Sequence, residues 1–455
     1  MPETVDPAMV DPAMIEAVPV TFAGEGSGTD ALSWGQSDIW RSMTRYESPM
    51  PLGGARPLAP GMSVDDVVAE LRYLLNRYQS MRTRVFLDGD GQPQQAVSDA
   101  GEITLEVVDV SDDGDPAAVA EATAQRYREQ PFDYEHEWPV RMAVTRHRGA
   151  LTHMAVIMCH LALDGFGAVV MMQEVAARET SPVSGMQPLE QARWQRSPAG
   201  QRQSDAALRY AEGILRSMPK PWIGGSGDPR QPRHWEGEFD STAMALALPQ
   251  IAARTGTDTA PVLLVAYAIA LQQLTGVNPV ALNLVVSNRF RPGLATAVGP
   301  LSQPSLCLLD IADLPFDQAL ERATRATMTS YKYAYYDPTT MRELVVRVTR
   351  ERGPGFDVDY FFNDRRSAGM PAETDEWNRP GSAKEALSLS TFRWTASKDT
   401  PSARLFVQAD DLSGIVRLNI FADTQHISPA NAEALLWQME AILVDATIEG
   451  RDHRG

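Results

Sequence analysis

His160 is the residue of this 455-residue chain best placed to do chemistry. It lies in LTHMAVIMCHLALDGFGAVVMMQEVAA, Leu151 to Ala177, four positions ahead of the pair Asp164-Gly165. An imidazole ionises near neutrality, so it can take a proton from a nucleophile or orient one by accepting its hydrogen bond. The flanking pattern says how it would be held. Leu151 to Cys159 is an apolar, β-prone run of strand length, and Leu161 to Gly165 is a short loop closed by Asp-Gly, a pair suited to a tight turn. Phe166 to Ala177 lacks Pro, has few β-branched residues and fits a buried helix, with Met171 and Met172 in the core. His160 therefore falls where a strand ends and a helix is about to begin, beside the free N–H groups of the helix start. The competing reading is a satisfied core histidine, and the HxxxDG pattern alone does not separate the two.

The other chemistry-bearing residues are less organised. His136, His153, His234 and His426 show no metal-site spacing, so solvated or structural roles are expected and no metal is assigned. Cys159 and Cys307 sit far apart in apolar stretches, which argues against a disulfide framework or a cysteine-rich zinc site. A formal charge of -18 argues against bulk nucleic-acid or anionic-membrane binding. Arg193, Arg196 and Arg202 form a local basic group, read either as a docking face or as a solvated helix face. Acidic residues near the N-terminus stand where a signal peptide carries Lys or Arg, so the expected location is cytoplasmic. The uncharged stretch Thr259 to Asn288 is broken by polar residues, Gly and Pro, and reads as a buried helix, a turn and a strand rather than a membrane span.

The elements that must position His160 follow from pattern. Hydrophobic content of 44% and charged content of 22% suit a folded core. Residues 1–29, with a tandem VDPAM and a GEGSG stretch, are expected to be a mobile tail, with order beginning near Leu32. Trp34 and Trp40 in LSWGQSDIW read as core anchors. Ser63 caps the amphipathic helix VDDVVAELRYLLNRY, DGDGQP turns a hairpin, and Asp115 with Pro116 opens the helix ending near Gln130. Residues 30–180 thus read as an N-terminal lobe carrying HxxxDG, and 181–234 as a Pro/Gly/Ser-rich connection around a helix Ser204 to Met218. Residues 235–455 read as a C-terminal lobe with Trp235 and Trp394 in its packing. Mixed helices and strands make the class α/β (α+β), one enzyme with a cleft between halves.

Several of these stretches resemble, in order, the condensation domains of nonribosomal peptide synthetases, in the chloramphenicol acetyltransferase-like superfamily. LSWGQSDIW resembles LSxxQxxxW. YQSMRTRVF resembles HExLRTxF, with Tyr78 and Gln79 in place of His and Glu. Pro131 to Asp133 with WPVRM resembles PFDxxxxPLxR, and Cys159 to Gly165 resembles HHxxxDG. NRFRPGLATAVGPLSQPSLCLL from Asn288 resembles NRxRP…VGxFVNTLPLR, and Phe361-Phe362-Asn363 resembles the FNY-type strand. The likeness runs from about Leu32 to Ala446. Cys159 replaces the first His of the signature, and Gln303, Pro304 and Ser305 depart from its Asn-Thr-Leu.

The resemblance implies two chloramphenicol acetyltransferase-like lobes as a V-shaped pseudo-dimer with the active site in the tunnel between them. It implies acyl or aminoacyl transfer from a carrier-protein thioester to an amine, with His160 as general base or amine-orienting residue and the Gly165 N–H approaching the oxyanion. Asp164 then holds the loop rather than touching substrate, paired with Arg289 or, next, Arg82. Cys159 is also placed among the structural residues. Gln303, Ser302, Trp34 and Gln36 are placed at the substrate. The chain is expected to bind no cofactor itself, the thioester residing on a carrier's phosphopantetheine, and to act as a free-standing monomer with an acyl or peptidyl carrier protein as partner. Ester formation with an alcohol, and a catalytically silent docking module, are the other readings. Ile223 to Ser226 only superficially resembles a carrier's phosphopantetheine site and reads as linker. Heterocyclase chemistry is disfavoured because that pattern replaces the His by Asp.

Overall fold

The structure, a computed structural model, describes residues 14–220, 226–353, 356, 358–366 and 382–452. The VDPAM repeat up to residue 13 and residues 223–225 of the IGGS stretch lie outside the described residues. The chain divides into two units, the first comprising residues up to Arg202 with Ser287–Ser302, the second comprising Gln203–Val286 and the residues from Gln303 on.

The first unit runs β1 (Ile15–Ala23), β2 (Gly28–Ala31), α1 (Trp34–Tyr46), β3 (Leu52–Pro57), α2 (Val64–Arg77), β4 (Thr83–Leu87), β5 (Pro93–Val97) and β6 (Ala100–Val110). It continues through α3 (Pro116–Glu129), β7 (Val140–His147), β8 (Ala150–Met158), α4 (Gly165–Ala177) and α5 (Pro188–Arg196). Helix α6 (Pro198–Ser217) then leads into the second unit. There follow β9 (His234–Ser241), α7 (Thr242–Thr255), α8 (Thr259–Thr275), β10 (Val280–Val286), β11 (Gln303–Leu309), α9 (Phe316–Lys332) and α10 (Pro338–Arg352). The last elements are β12 (Tyr360–Asp364), β13 (Thr391–Lys398), β14 (Leu405–Leu412), β15 (Ile415–Asp423) and α11 (Pro429–Asp452).

The main sheet of the first unit has the order β1-β6-β7-β8-β3, beside a small sheet β2-β5-β4. Alternation along β7 explains its helices. Val140, Met142 and Val144 pack with Val67, Leu71 and Leu75 of α2, whereas Ala143 joins Val119 and Ala122 of α3 on the other face. The second unit is built on a seven-stranded sheet, β11-β10-β12-β14-β15-β9-β13. Cys307 and Leu309 of β11 pack with α8 and α9 residues, while Leu306 pairs with Ile214 of α6 and Leu344 of α10. Among the described residues no helix is long and apolar enough to cross a membrane. The uncharged stretch becomes α8 and β10 as its pattern suggests.

Local signals held where they were specific. Ser63 makes a reciprocal capping box with Asp66, and the Asp115 carboxylate accepts from the Ala117 N–H ahead of α3. Strands β4 and β5 form the hairpin around DGDGQP, its turn fixed by Asp88 Oδ1 accepting from Asp90 and Gln92. The expected tail is corrected from Ile15 onward. Strand β1 pairs antiparallel with β6 from Ile15↔Val108 to Ala23↔Ala100, and buries Val20 and Phe22. Phe22 meets Trp138 edge-on at 5.1 Å between ring centroids. Every second residue from Val18 to Phe22 is apolar, but the acidic, Pro-rich surroundings mask that alternation. The stretch 181–234, read as a connection, contains α5 and α6, with α5 in the first unit.

One glycine shows how tightly α1 is seated. A Cβ on Gly35 would lie 1.7 Å from the Pro300 carbonyl oxygen, a backbone atom that cannot swing away. Gly35→Ala is expected to destabilise by about 1–3 kcal/mol through overpacking. Gly213→Ala at an exposed position of α6, where an added Cβ meets nothing within 4 Å, is expected to stabilise by roughly 0.5–1 kcal/mol. Scanning calorimetry of the two variants should move Tm in opposite directions; a Gly35→Ala protein as stable as wild type contradicts the close approach.

Candidate functional site

The motif stands at the junction its pattern suggests. Strand β8 ends at Met158, and α4 starts at Gly165 with Asp164 as its N-cap. Between them, His160 Nδ1 lies 2.9 Å from the Leu163 carbonyl oxygen. A carbonyl only accepts, so Nδ1 carries the proton and the lone pair belongs to Nε2. Among the described residues nothing hydrogen-bonds that Nε2. The ring is half-buried, so its free edge reaches solvent.

Asp164 is the most heavily engaged side chain nearby. It is buried, and its Oδ2 accepts from Arg289 Nη1, Leu301 N and Ser302 N at 3.0 Å each and from Ser302 Oγ at 2.8 Å. Its Oδ1 accepts from Gly167 N at 2.7 Å and Arg289 Nη2 at 2.8 Å. Burial works against the carboxylate's charge, but the Arg289 guanidinium and these N–H donors outweigh it and hold the group below the usual carboxylate range. Arg289 also donates to the Ala297 and Gly299 carbonyls at 3.1 Å. One ion pair thus ties the start of α4 to the segment 287–302, which belongs to the same unit. Gly167 sits inside this knot: a Cβ there would come within 3.0 Å of Arg289 Nη2. Arg82, the second possible partner, is engaged elsewhere; it is fully buried and donates to the carbonyls of Glu25, Gly26 and Ser98.

The capping geometry leaves two donors open. Asp164 satisfies the third N–H of α4, and the fourth bonds the Asp164 carbonyl. The N–H groups of Gly165 and Phe166 have no acceptor among the described residues. A Cβ on Gly165 would meet nothing within 4 Å, so there is room beside the first residue of this helix. Cys159, behind the motif, is buried, and burial pushes its thiol up to about 12, leaving it protonated and unsuited to attack at neutral pH. It borders a small cavity shared with Thr83, Val85, Tyr134 and Leu161; His160 does not line it. Among the described residues no three His, Cys, Asp or Glu side chains gather as metal ligands would.

The residues expected at the substrate each make contacts within the protein, and the buried Gln36 Nε2 has no hydrogen-bond partner among the described residues. Gln36 Oε1 accepts from the Ser33 N–H in the capping box of α1, and Gln36 is buried. Trp34 is buried against Trp194, with its backbone N–H on Gln195 Oε1 at 2.8 Å. Ser302 belongs to the Asp164 knot. Gln303, in the second unit, is fully buried and bonds both the N–H and the carbonyl of Tyr336. Each sits at an element terminus that needs a polar partner, which sequence similarity does not distinguish from a ligand contact. Arg193 and Arg196 both face the nearly buried carboxylate of Asp30, which offsets one of the three charges of that basic group. Met171 is core, as its helix suggests, but Met172 is 52% exposed and corrects the expectation of a helix buried on that side. Unforeseen was Glu174, which binds Arg77 Nε at 2.6 Å and the Tyr78 hydroxyl. Tyr78 standing in the HExLRT-like segment was the available signal.

Removing Asp164 strands a nearly buried guanidinium, so Asp164→Ala is expected to destabilise by about 3–5 kcal/mol, with Asp164→Ala/Arg289→Met costing less than the sum of the single changes. The Asp164 pKa is depressed in the fold. Its contribution is therefore complete above the ordinary carboxylate range and is lost as pH falls through the depressed value. The stability gap between wild type and Asp164→Asn should narrow on acidification; a gap independent of pH in denaturant titrations refutes the ionised pair.

Comparison with known proteins identifies a family. Residues 58–443 match the sequence profile of the family described as Condensation domain. Cyclosporin synthetase of Tolypocladium inflatum is 24% identical over 69% of this chain, and phosphinothricin tripeptide synthetase PhsC of Streptomyces viridochromogenes is 24% identical over 75% of it. The chain spans only 2% and 36% of those two proteins. Among solved structures, the condensation domain that mediates chain release from the enacyloxin polyketide synthase superposes with a TM-score of 0.68 at 17% identity, covering 96% of this chain and 86% of that one. SgcC5 of Streptomyces globisporus gives 0.68 at 16% identity, covering 92% and 99%. The α/β architecture is thus the condensation-domain fold, and the chain belongs to the condensation-domain family.

Proposed function

We propose that this condensation domain forms an amide bond, moving an acyl or aminoacyl group from a thioester on the phosphopantetheine of a carrier protein to an amine, in specialised peptide-type biosynthesis. The observation that carries the reading is the His160 tautomer. Its Nδ1–H is fixed on the Leu163 carbonyl, which leaves Nε2 as a lone pair in the loop that leads into α4, whose first two N–H groups are open. In the reaction, the amine nitrogen attacks the thioester carbonyl carbon and the carbonyl electrons move onto oxygen. Gly165 and Phe166 N–H donate to that oxyanion, where the field of the helix start favours negative charge. His160 Nε2 accepts the hydrogen bond of the attacking amine and then its proton; the intermediate collapses, the C–S bond breaks and the thiolate takes up the proton. Direct attack needs no protein nucleophile, in keeping with the protonated Cys159 thiol. Asp164, with both oxygens occupied, positions the loop and helix start and takes no proton.

An alcohol acceptor gives the second reading. SgcC5, the structural relative named above, was solved in complex with (R)-(-)-1-(2-naphthyl)-1,2-ethanediol. An acyl-loaded carrier offered amine and alcohol acceptors, with products weighed by mass spectrometry, separates ester from amide formation.

Two substitutions test the roles. His160→Ala is expected to lower kcat by about 10²–10⁴-fold with Tm unchanged, the range of a lost general base; undiminished product formation ends the proposal. Gly165→Pro removes one oxyanion donor at a position where proline suits the first helical turn, and Asp164 before it already has the extended backbone, φ -105° and ψ 178°, that proline demands. Turnover should fall by roughly 10²–10³-fold while Gly165→Ala retains activity. Equal activity of the two variants would remove Gly165 N–H from the mechanism.

A further inference from the structure

Helix α4 is apolar nearly throughout, GFGAVVMMQEVAA, yet only Gly167 and Met171 are buried. Helix α8, TAPVLLVAYAIALQQLT, has a similar composition and buries Val262 to Ala268 without a break, the usual fate of a helix apolar on all sides. The exposed residues of α4 are not scattered. Gly165, Val169, Met172 and Ala176 recur at four-, three- and four-residue steps, which places them within an arc of about 60° on the side away from Met171, and the exposed Gln173 and Ala177 extend one edge of it to about 140°. Val169 is 39% exposed and Met172 52%, and Gln173 is the sole polar residue bordering the stripe.

Polar clamps hold the helix at its two ends and leave this face free. At the N-terminus the Asp164 knot fixes the first turn. At the C-terminus Glu174 is gripped by Arg77 and Tyr78, while the Tyr73 hydroxyl donates to the Glu179 carbonyl at 2.8 Å and Arg77 Nη1 to that of Ser181 at 2.7 Å. The stripe begins at Gly165, where there is room beside the first residue of the helix and two N–H groups lack acceptors. A thioester carbonyl seated on those donors puts its two substituents at the head of the stripe. The pantetheine arm carries amides that need hydrogen-bond partners, which Val169, Met172 and Ala176 do not offer. The acyl group needs none. We infer that Val169 and Met172 are specificity-determining residues, and that the acyl donor of this domain carries an apolar group lying along the α4 stripe. The stripe is about 16 Å long, enough for a medium-chain acyl group.

This inference rests on the acyl-transfer reading, so the experiment separates the two. The probes are acetyl-, butyryl-, octanoyl- and succinyl-pantetheine thioesters for turnover. Their analogues with an amide NH in place of the thioester sulfur serve for calorimetric binding. Kd of the analogues should tighten about 2- to 4-fold per added methylene in wild type, with the succinyl analogue weakest. Met172→Glu and the milder Met172→Gln, both checked for unchanged Tm, should flatten that dependence and lower kcat/KM for octanoyl at least 10-fold, leaving acetyl within about 3-fold. Binding indifferent to chain length, a preference for succinyl, or Met172 variants that bind octanoyl as wild type does would each overturn the inference. So would a self-association in sedimentation velocity that Met172→Glu abolishes without touching chain-length dependence, since the stripe would then face a second copy. Chain-length-dependent binding with turnover unaffected by His160→Ala would instead strike the mechanism and leave the stripe assignment standing.

Discussion

A buried carboxylate that receives six hydrogen bonds is the constraint on which the rest of this site depends. Asp164 does two jobs with one charge. Its Oδ1 caps α4 through Gly167, and its Oδ2 gathers the backbone of Leu301 and Ser302 to the same point. A neutral cap such as Ser would satisfy the helix but would leave Arg289 without a counter-charge among nearly buried groups. The segment 287–302 leaves β10, joins the first unit and returns as β11, so it has little regular secondary structure to fix its path. The ion pair supplies that fixity, helped by Asn288 Nδ2 on the Leu301 carbonyl at 2.9 Å and by the close seat of Gly35 on Pro300. His160 inherits its position from this knot, because its Nδ1 partner is Leu163, the residue immediately before Asp164.

The helix start is shaped by the same bond. A capping side chain normally satisfies one of the first four N–H groups and leaves the others to water or ligand. Here the first two remain open, and so does the imidazole nitrogen of the loop that leads into them. Free donors and a free acceptor are what addition to a carbonyl requires, since oxygen gains charge while the nucleophile loses a proton. The apolar stripe continues from those donors, and the clamps at the two ends of α4 allow it to remain uncovered without the helix drifting.

What was legible in the sequence was mostly local. Strand, loop and helix around His160 could be read because period, turn chemistry and helix propensity agree over a short stretch. Ser63, Asp115 and the Asp88 turn were legible for the same reason. The pairing of Asp164 with Arg289 spans 125 residues and has no periodic signature; it was accessible only through family resemblance. Resemblance does not separate two uses at Gln36 and Trp34, because a residue that serves a capping box or a core contact looks the same in a motif as one that serves substrate. Composition misled at β1, where Pro and acidic neighbours hid the alternation from Val18 to Phe22. It misled again at Met172: periodicity gives the width of an apolar face, but not whether protein or ligand covers it.

The replacement of the signature's first His by Cys159 bears on how the imidazole is held. Cys159 packs among buried residues including Ile157 and Leu161, and its protonated thiol offers His160 no charge. Asp164 offers none either, since its oxygens are taken by Arg289 and backbone donors. The proton on Nδ1 is thus oriented by a main-chain carbonyl alone, unlike the carboxylate-backed imidazole that activates a serine. A hydroxyl nucleophile needs strong base assistance because its oxygen holds its proton tightly. A neutral amine already presents a lone pair and sheds its proton readily once the C–N bond has begun to form. A histidine fixed in tautomer but given no counter-ion is matched to that lighter task, which is the physical argument behind the amine acceptor proposed above.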